Sequence, residues 1–116
     1  MLQEALERAG AEVVSAASAA EALTELGRFK PDVLISDIGL PDQDGYGLLR
    51  AVRTLATTAG GAVPAIALSG YVGEQERMAS ERAGYQAFAT KPIQLAELIA
   101  TIIRLAERSN EPADRH

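Results

Sequence analysis

Apolar residues recur at Leu2, Ala5, Leu6 and Ala9 between polar neighbours and stop at Gly10, the spacing of a short amphipathic helix with a glycine end. Val13 and Val14 are the centre of a short strand expected over 12–16. Ser18 followed by Glu21 has the capping-box spacing that opens a helix through Ala22, Leu23 and Leu26, and Pro31 ends that unit. Val33, Leu34 and Ile35 form a continuous apolar run, the pattern of a strand buried on both faces, and it delivers Ser36 and Asp37 to its C-terminal end. A loop containing Pro41, Asp42, Asp44 and Gly45 follows.

Leu48, Leu49, Val52, Leu55 and Ala56 mark the next helix, ended by Gly60 and Gly61, and Pro64 introduces a second apolar strand running through Ile66 and Leu68 to Ser69. Residues 74–83 have helix-forming composition but a thin apolar face, so a more exposed and mobile helix is expected there, terminated by Gly84. Residues 87–90 suit a short strand leading to Lys91 and Pro92, after which Leu95, Leu98, Ile99, Ile102, Ile103 and Ala106 make the strongest helical stripe in the chain. A helix followed by four strand–helix units with short connections predicts an α/β fold, a parallel sheet covered on both faces by helices. One domain is expected over 1–109, with 110–116 a frayed tail.

The chain has 116 residues, 47% of them hydrophobic and 23% charged, which suits a single ordinary core. Its net charge of -5, with basic residues scattered among acids, argues against direct nucleic-acid binding, because phosphate backbones are bound by clustered Lys and Arg. The absence of cysteine excludes disulfides and thiolate metal sites and is compatible with a reducing cytoplasm. No apolar run approaches the roughly 20 residues that cross a bilayer, and residues 1–10 carry Glu4, Glu7 and Arg8 where a signal peptide needs an apolar stretch. A cytoplasmic protein without membrane contact is the expectation.

In a parallel α/β sheet the ligand site lies beyond the C-terminal ends of the strands. Asp37, Ser69 and Lys91 each stand at such an end, so residues far apart in sequence are expected to converge. Each alone has an ordinary explanation: an Asp accepting loop hydrogen bonds, a turn serine before Gly70, a solvated lysine. Together a carboxylate nucleophile, a hydroxyl and a compact cation are the parts needed to accept and hold a phosphoryl group.

The run Ser36-Asp37-Ile38-Gly39-Leu40-Pro41-Asp42-Gln43-Asp44-Gly45 resembles the phosphoacceptor strand and loop of the response-regulator receiver family, the CheY-like domains of two-component signalling, and Lys91-Pro92 resembles its Lys-Pro signature. The likeness runs from the first helix to the last. It implies a flavodoxin-like three-layer sandwich with family strand order 2-1-3-4-5. It further implies that Asp37 takes a phosphoryl group from a phosphohistidine on a sensor histidine kinase or histidine phosphotransfer protein, in a signalling domain rather than an enzyme, with at most self-catalysed phosphotransfer and dephosphorylation. Lys91 would contact a phosphoryl oxygen and Ser69 would supply the switch hydroxyl. Phe88 stands at the family's switch-aromatic position or is an ordinary core aromatic. Asp37 and the backbone carbonyl of Gly39 would contribute to a Mg2+ site, and the bond before Pro92 is often cis in this family.

The pattern departs from the family at its start. There a first strand ends in acidic residues that help hold the magnesium; here that strand and its acidic pair are lacking, so weak Mg2+ binding is expected. Glu4, Glu7 and Glu12 do not take that place by sequence order and read as solvated charges. In the family order the missing strand would lie between those at Val13 and Val33. Three arrangements answer its loss: the Val13 strand moves beside Val33, a second copy fills the gap in a strand-swapped or strand-paired homodimer, or the chain is a piece of a longer or hybrid-kinase protein. The competing functional expectation is a phosphorylation-independent pseudo-receiver that serves as an interaction or dimerisation module.

Overall fold

The alternation of apolar and polar runs is realised, in a computed structural model describing residues 2–38, 45–55, 61–70 and 73–109, as helices and strands in the order α1 (Leu2–Arg8), α2 (Ala19–Phe29), β1 (Leu34–Asp37), α3 (Gly45–Arg53), β2 (Ala65–Ser69), α4 (Glu74–Ala83), β3 (Ala87–Thr90) and α5 (Leu95–Ser109). The strands form a parallel sheet in the order β1-β2-β3, with Leu34 opposite Ala65 and Ile66 opposite Ala87. β2 lies in the centre because its five residues carry no charge and four of them are apolar; every one of them is buried.

Successive β2 side chains leave the sheet on opposite faces, and this splits the core in two. Ala65 and Ala67 pack with Leu26 of α2, Leu49 and Val52 of α3 and Ala83 of α4. Ile66 and Leu68 pack with Leu98 and Leu105 of α5, with Leu2 of α1 against them. Two helical layers therefore sandwich the sheet, as the sequence predicts. A fully buried aliphatic chain such as Leu49 contributes about 1.5–3 kcal/mol through removal from water.

Local signals set the helix ends. The Glu21 amide donates to Ser18 Oγ at 3.1 Å, while the Glu21 carboxylate accepts from the Ala17 amide at 3.3 Å, one residue earlier than a strict capping box requires. α2 stops at Lys30, which adopts the left-handed conformation (φ 48°) just before Pro31. α4 covers the expected residues and ends at Gly84 (φ 111°); only Ser80 and Ala83 of its ten residues are buried.

The strand expected over 12–16 does not form: these residues have no regular structure and Val14 is 44% exposed. A valine pair makes a strand only where a ladder partner exists, and the described sheet does not extend past β1. The arrangement in which this segment pairs beside Val33 is therefore not adopted. Val33, Leu34 and Ile35 are consequently half-buried rather than buried, because β1 is an edge strand. The amides of Leu34 and Ile38 donate to the carbonyls of Pro64 and Leu68 on the β2 side, so by the alternation of a parallel ladder the backbone groups of Ile35 face the outer edge. α3 ends at Arg53, before the predicted Ala56 and Gly60, which lie outside the described residues, as does the expected tail at 110–116. Among the described residues no helix is long and apolar enough to cross a membrane.

Candidate functional site

Parallel register brings the predicted residues to one end of the sheet. Asp37 is the last residue of β1 and lies opposite Leu68; Ser69 is the last of β2 and lies opposite Thr90; Lys91 follows directly on β3. Two backbone bonds carry the ladder past the strand ends, from the Ile38 amide to the Leu68 carbonyl and from the Lys91 amide to the Ser69 carbonyl, each 2.8 Å. Lys91 is thus held by main chain, independently of its side chain.

Lys91 Nζ lies 2.5 Å from Asp37 Oδ2 across residues 54 apart in sequence. The pair is neither sealed nor fully open, with 26% of the Asp37 side chain and 38% of the Lys91 side chain exposed, so both groups are in contact with solvent. Ser69 is fully buried one strand over. Phe88 lies opposite Ala67, which puts it on the same sheet face as Ser69, one step further from the site; it is half-buried against the cluster formed with α2, α3 and α4. The bond between Lys91 and Pro92 is cis. Gly39, the other residue expected at a metal, lies outside the described residues, together with Pro41, Asp42 and Asp44.

The described residues do not assemble a magnesium site. No three His, Cys, Asp or Glu side chains converge among them, whereas a hard dication takes six or more oxygen ligands, several of them from carboxylates or water. Asp37 stands as a carboxylate already in contact with the Lys91 ammonium.

The partners of several supporting residues carry no signal in the sequence. Gly45 is buried so closely on the Asp37 strand that a Cβ there would overlap Cγ2 of Ile38 and come within 3.1 Å of Ser36 Oγ. The Gly45 carbonyl accepts from the buried Tyr85 hydroxyl at 2.8 Å. Its neighbour Tyr46 donates to Glu76 Oε2 on α4 at 2.8 Å; burial, and then the Glu76 carboxylate, push the Tyr46 phenol up to about 12. Arg53, whose pKa burial lowers, gives its guanidinium to the carbonyls of Gly61, Val63 and Gly84 and to the Gln86 side chain. Gln86 Oε1 also accepts from the Ala65 amide, at the first residue of β2. A tyrosine after Gly84 and an arginine closing an amphipathic helix are weak signals, since nothing in the local pattern names their partners.

The response regulator receiver domain family model matches residues 1–103. The chain is 41% identical over 102 residues to an uncharacterized 14.6 kDa protein of Leptolyngbya boryana, a match covering 88% of this chain and 76% of that one. It is 33% identical over 112 residues to the transcriptional regulatory protein PrrA of Mycobacterium tuberculosis, where it spans 97% of its own length but about half, 46%, of PrrA. Among solved structures, the signal receiver domain of a signal transduction histidine kinase from Syntrophus aciditrophicus superposes with TM-score 0.81 at 26% identity, covering 99% of this chain and 86% of that one. A CheY-like response regulator receiver domain protein from Methanospirillum hungatei superposes with TM-score 0.78 at 28% identity, covering 93% and 83%.

Proposed function

The chain belongs to the response-regulator receiver domain family, and from that premise we propose that Asp37 is its phosphoryl acceptor in a two-component relay. An Asp37 carboxylate oxygen attacks the phosphorus of a phosphohistidine on a histidine-kinase-type partner. As the new P–O bond forms the P–N bond breaks, and the imidazole nitrogen takes the electron pair. Lys91 contacts a phosphoryl oxygen and offsets the negative charge of the transferring phosphoryl group. Ser69 moves to meet the phosphoryl group and Phe88 takes up the space it leaves. The domain turns over no separate substrate; at most it transfers and hydrolyses its own phosphoryl group. Homology to receiver domains supports phosphorylation-based signalling in general. The observation that supports the residue-level reading is the contact between Lys91 Nζ and Asp37 Oδ2, which keeps an ammonium within reach of a group carried on that carboxylate.

Incubation with a small phosphodonor such as phosphoramidate, followed by intact-mass measurement, tests this. One added phosphoryl group is expected on the native chain and none on Asp37→Asn, with slower transfer to Lys91→Ala. Equal labelling of Asp37→Asn would refute the assignment.

A second reading, a pseudo-receiver that works as an interaction or dimerisation module, is favoured by the lack of an acidic cluster among the described residues and by the outer edge of β1. In that case the phosphodonor leaves the mass unchanged and light scattering gives a dimer, formed by a second copy pairing at β1.

A further inference from the structure

α4 is held unequally at its two ends. Its C-terminal part enters the core through Ala83 and the buried Ser80, and Arg53 holds the Gly84 carbonyl beyond it. Its N-terminal half has exposed residues at Glu74, Gln75, Arg77 and Met78, and the N-cap Gly73 makes no side-chain capping bond. Among the described residues, a hydrogen bond from the Tyr46 hydroxyl to Glu76 ties this half to the body, between the first turns of α3 and α4. A phenol donating to a carboxylate in a partly buried place is a charge-assisted bond, stronger than a neutral one.

The α3 end of this tie abuts Asp37. Tyr46 follows Gly45, and Gly45 is packed against Ser36 and Ile38, the residues on either side of Asp37, without room for one methyl group. Its carbonyl is also fixed by Tyr85. A shift at Asp37 that carries the Ser36 or Ile38 side chain with it therefore presses on Gly45, the residue next to Tyr46.

We propose that the Tyr46–Glu76 hydrogen bond is a latch on the N-terminal half of α4, and that its closure is linked to the chemical state of Asp37. The linkage, though not the latch, rests on the reading of Asp37 as phosphoryl acceptor. The coupling is reciprocal: a change at Asp37 that weakens the latch is itself favoured when the latch is cut.

Amide hydrogen exchange across α4 tests the latch in Tyr46→Phe, Glu76→Gln and the double variant, with Glu74→Gln as control. Glu74 is exposed and its contact with Arg77 is 3.9 Å. Exchange in the N-terminal half is expected to rise about tenfold in Tyr46→Phe, the size set by one charge-assisted bond, and by less in Glu76→Gln, whose amide oxygen still accepts from the phenol, while the C-terminal half changes little. The double variant should go no further than Tyr46→Phe, as two ends of one contact require. Exchange no faster than in Glu74→Gln overturns the latch, and Glu76→Gln decides the matter alone should Tyr46→Phe fail to fold.

The linkage is read with beryllofluoride, a phosphoryl mimic, in magnesium buffer. Its addition to the native chain should alter exchange in the same half of α4, and its affinity should change several-fold in Glu76→Gln. Binding that is tight but insensitive to the variant, with α4 unaltered, overturns the linkage and leaves the acceptor reading standing. No binding, joined to no phosphoryl transfer to Asp37, overturns the linkage and the acceptor reading together.

Discussion

Replacing Arg53 with alanine removes one guanidinium and, with it, bonds to the Val63 carbonyl at 2.6 Å, the Gly61 carbonyl at 3.0 Å, the Gly84 carbonyl at 2.8 and 3.2 Å and the Gln86 side chain at 3.0 Å. These partners sit at the entrance to β2 and at the turn between α4 and β3, so a single residue closes the base of the sheet opposite the Asp37 end. A hydrogen bond to a charged group contributes about 1.5–3 kcal/mol net. The bonds share one donor group and do not add. Gly84 and Gln86 retain access to water in the variant, whereas Gly61 and Val63 are buried and their carbonyls lose a partner. Against this, the cost of burying the guanidinium, visible in its lowered pKa, is recovered. The balance is a loss of about 3 kcal/mol, a large part of the roughly 5–15 kcal/mol that stabilises a domain. It corresponds to a fall in Tm of roughly 10 °C at this chain length. Urea unfolding followed by circular dichroism measures it directly. Arg53→Lys keeps the charge but not the fork, and should lose about half as much. Arg50→Ala, on the same helix but exposed, should stay within about 0.5 kcal/mol of the native chain. An Arg53→Ala protein within about 1 kcal/mol of native, or no less stable than Arg50→Ala, would show that these bonds merely replace equivalent bonds to water.

Gly45→Ala gains helix propensity but forces a methyl group into Ile38 and Ser36, and a net loss of about 1–2 kcal/mol is expected in the same urea assay; a stabilised variant would mean that the Asp37 strand yields easily. Ser18→Ala should cost about 1 kcal/mol through the lost bond to the Glu21 amide, with Ser18→Asp restoring most of it. Ultraviolet titration should find the Tyr46 phenol ionising near 12, a step lost in Tyr46→Phe and moved down toward 10.0 in Glu76→Gln, since burial and then Glu76 raise it. Because the folded pKa exceeds the unfolded one, stability from the protonated Tyr46 is complete below pH 10.0 and is lost as pH rises through about 12; unfolding midpoints that stay level over that window would contradict it.

Much of the site is legible in the sequence because the signals are local. An apolar run ending in Asp37, another ending in Ser69 and a short one before Lys91 state, each within a few residues, both the strand and the group at its end. Parallel pairing then needs only register to gather them, and the contact from Lys91 to Asp37 is the result. The helix starts and stops at Ser18, Gly10 and Gly84 are of the same kind, because a cap or a left-handed residue acts on its own turn.

Pairing at a distance was decided by the fold alone. Val13 and Val14 have the composition of a strand but no neighbouring strand to bond, and a ladder is a property of two segments rather than one. Tyr46 and Glu76 are 30 residues apart and Arg53 and Gly84 are 31 apart; nothing in either segment names the other. The sequence by itself determined which polar side chains stand at the strand ends and where α2 begins and α4 ends, since those depend on neighbours along the chain. The tertiary structure decided that β1 would be an edge of the described sheet, that Gly45 would leave no space for a Cβ beside Ile38 and Ser36, and that the first turn of α4 would meet Tyr46, since those depend on which surfaces meet.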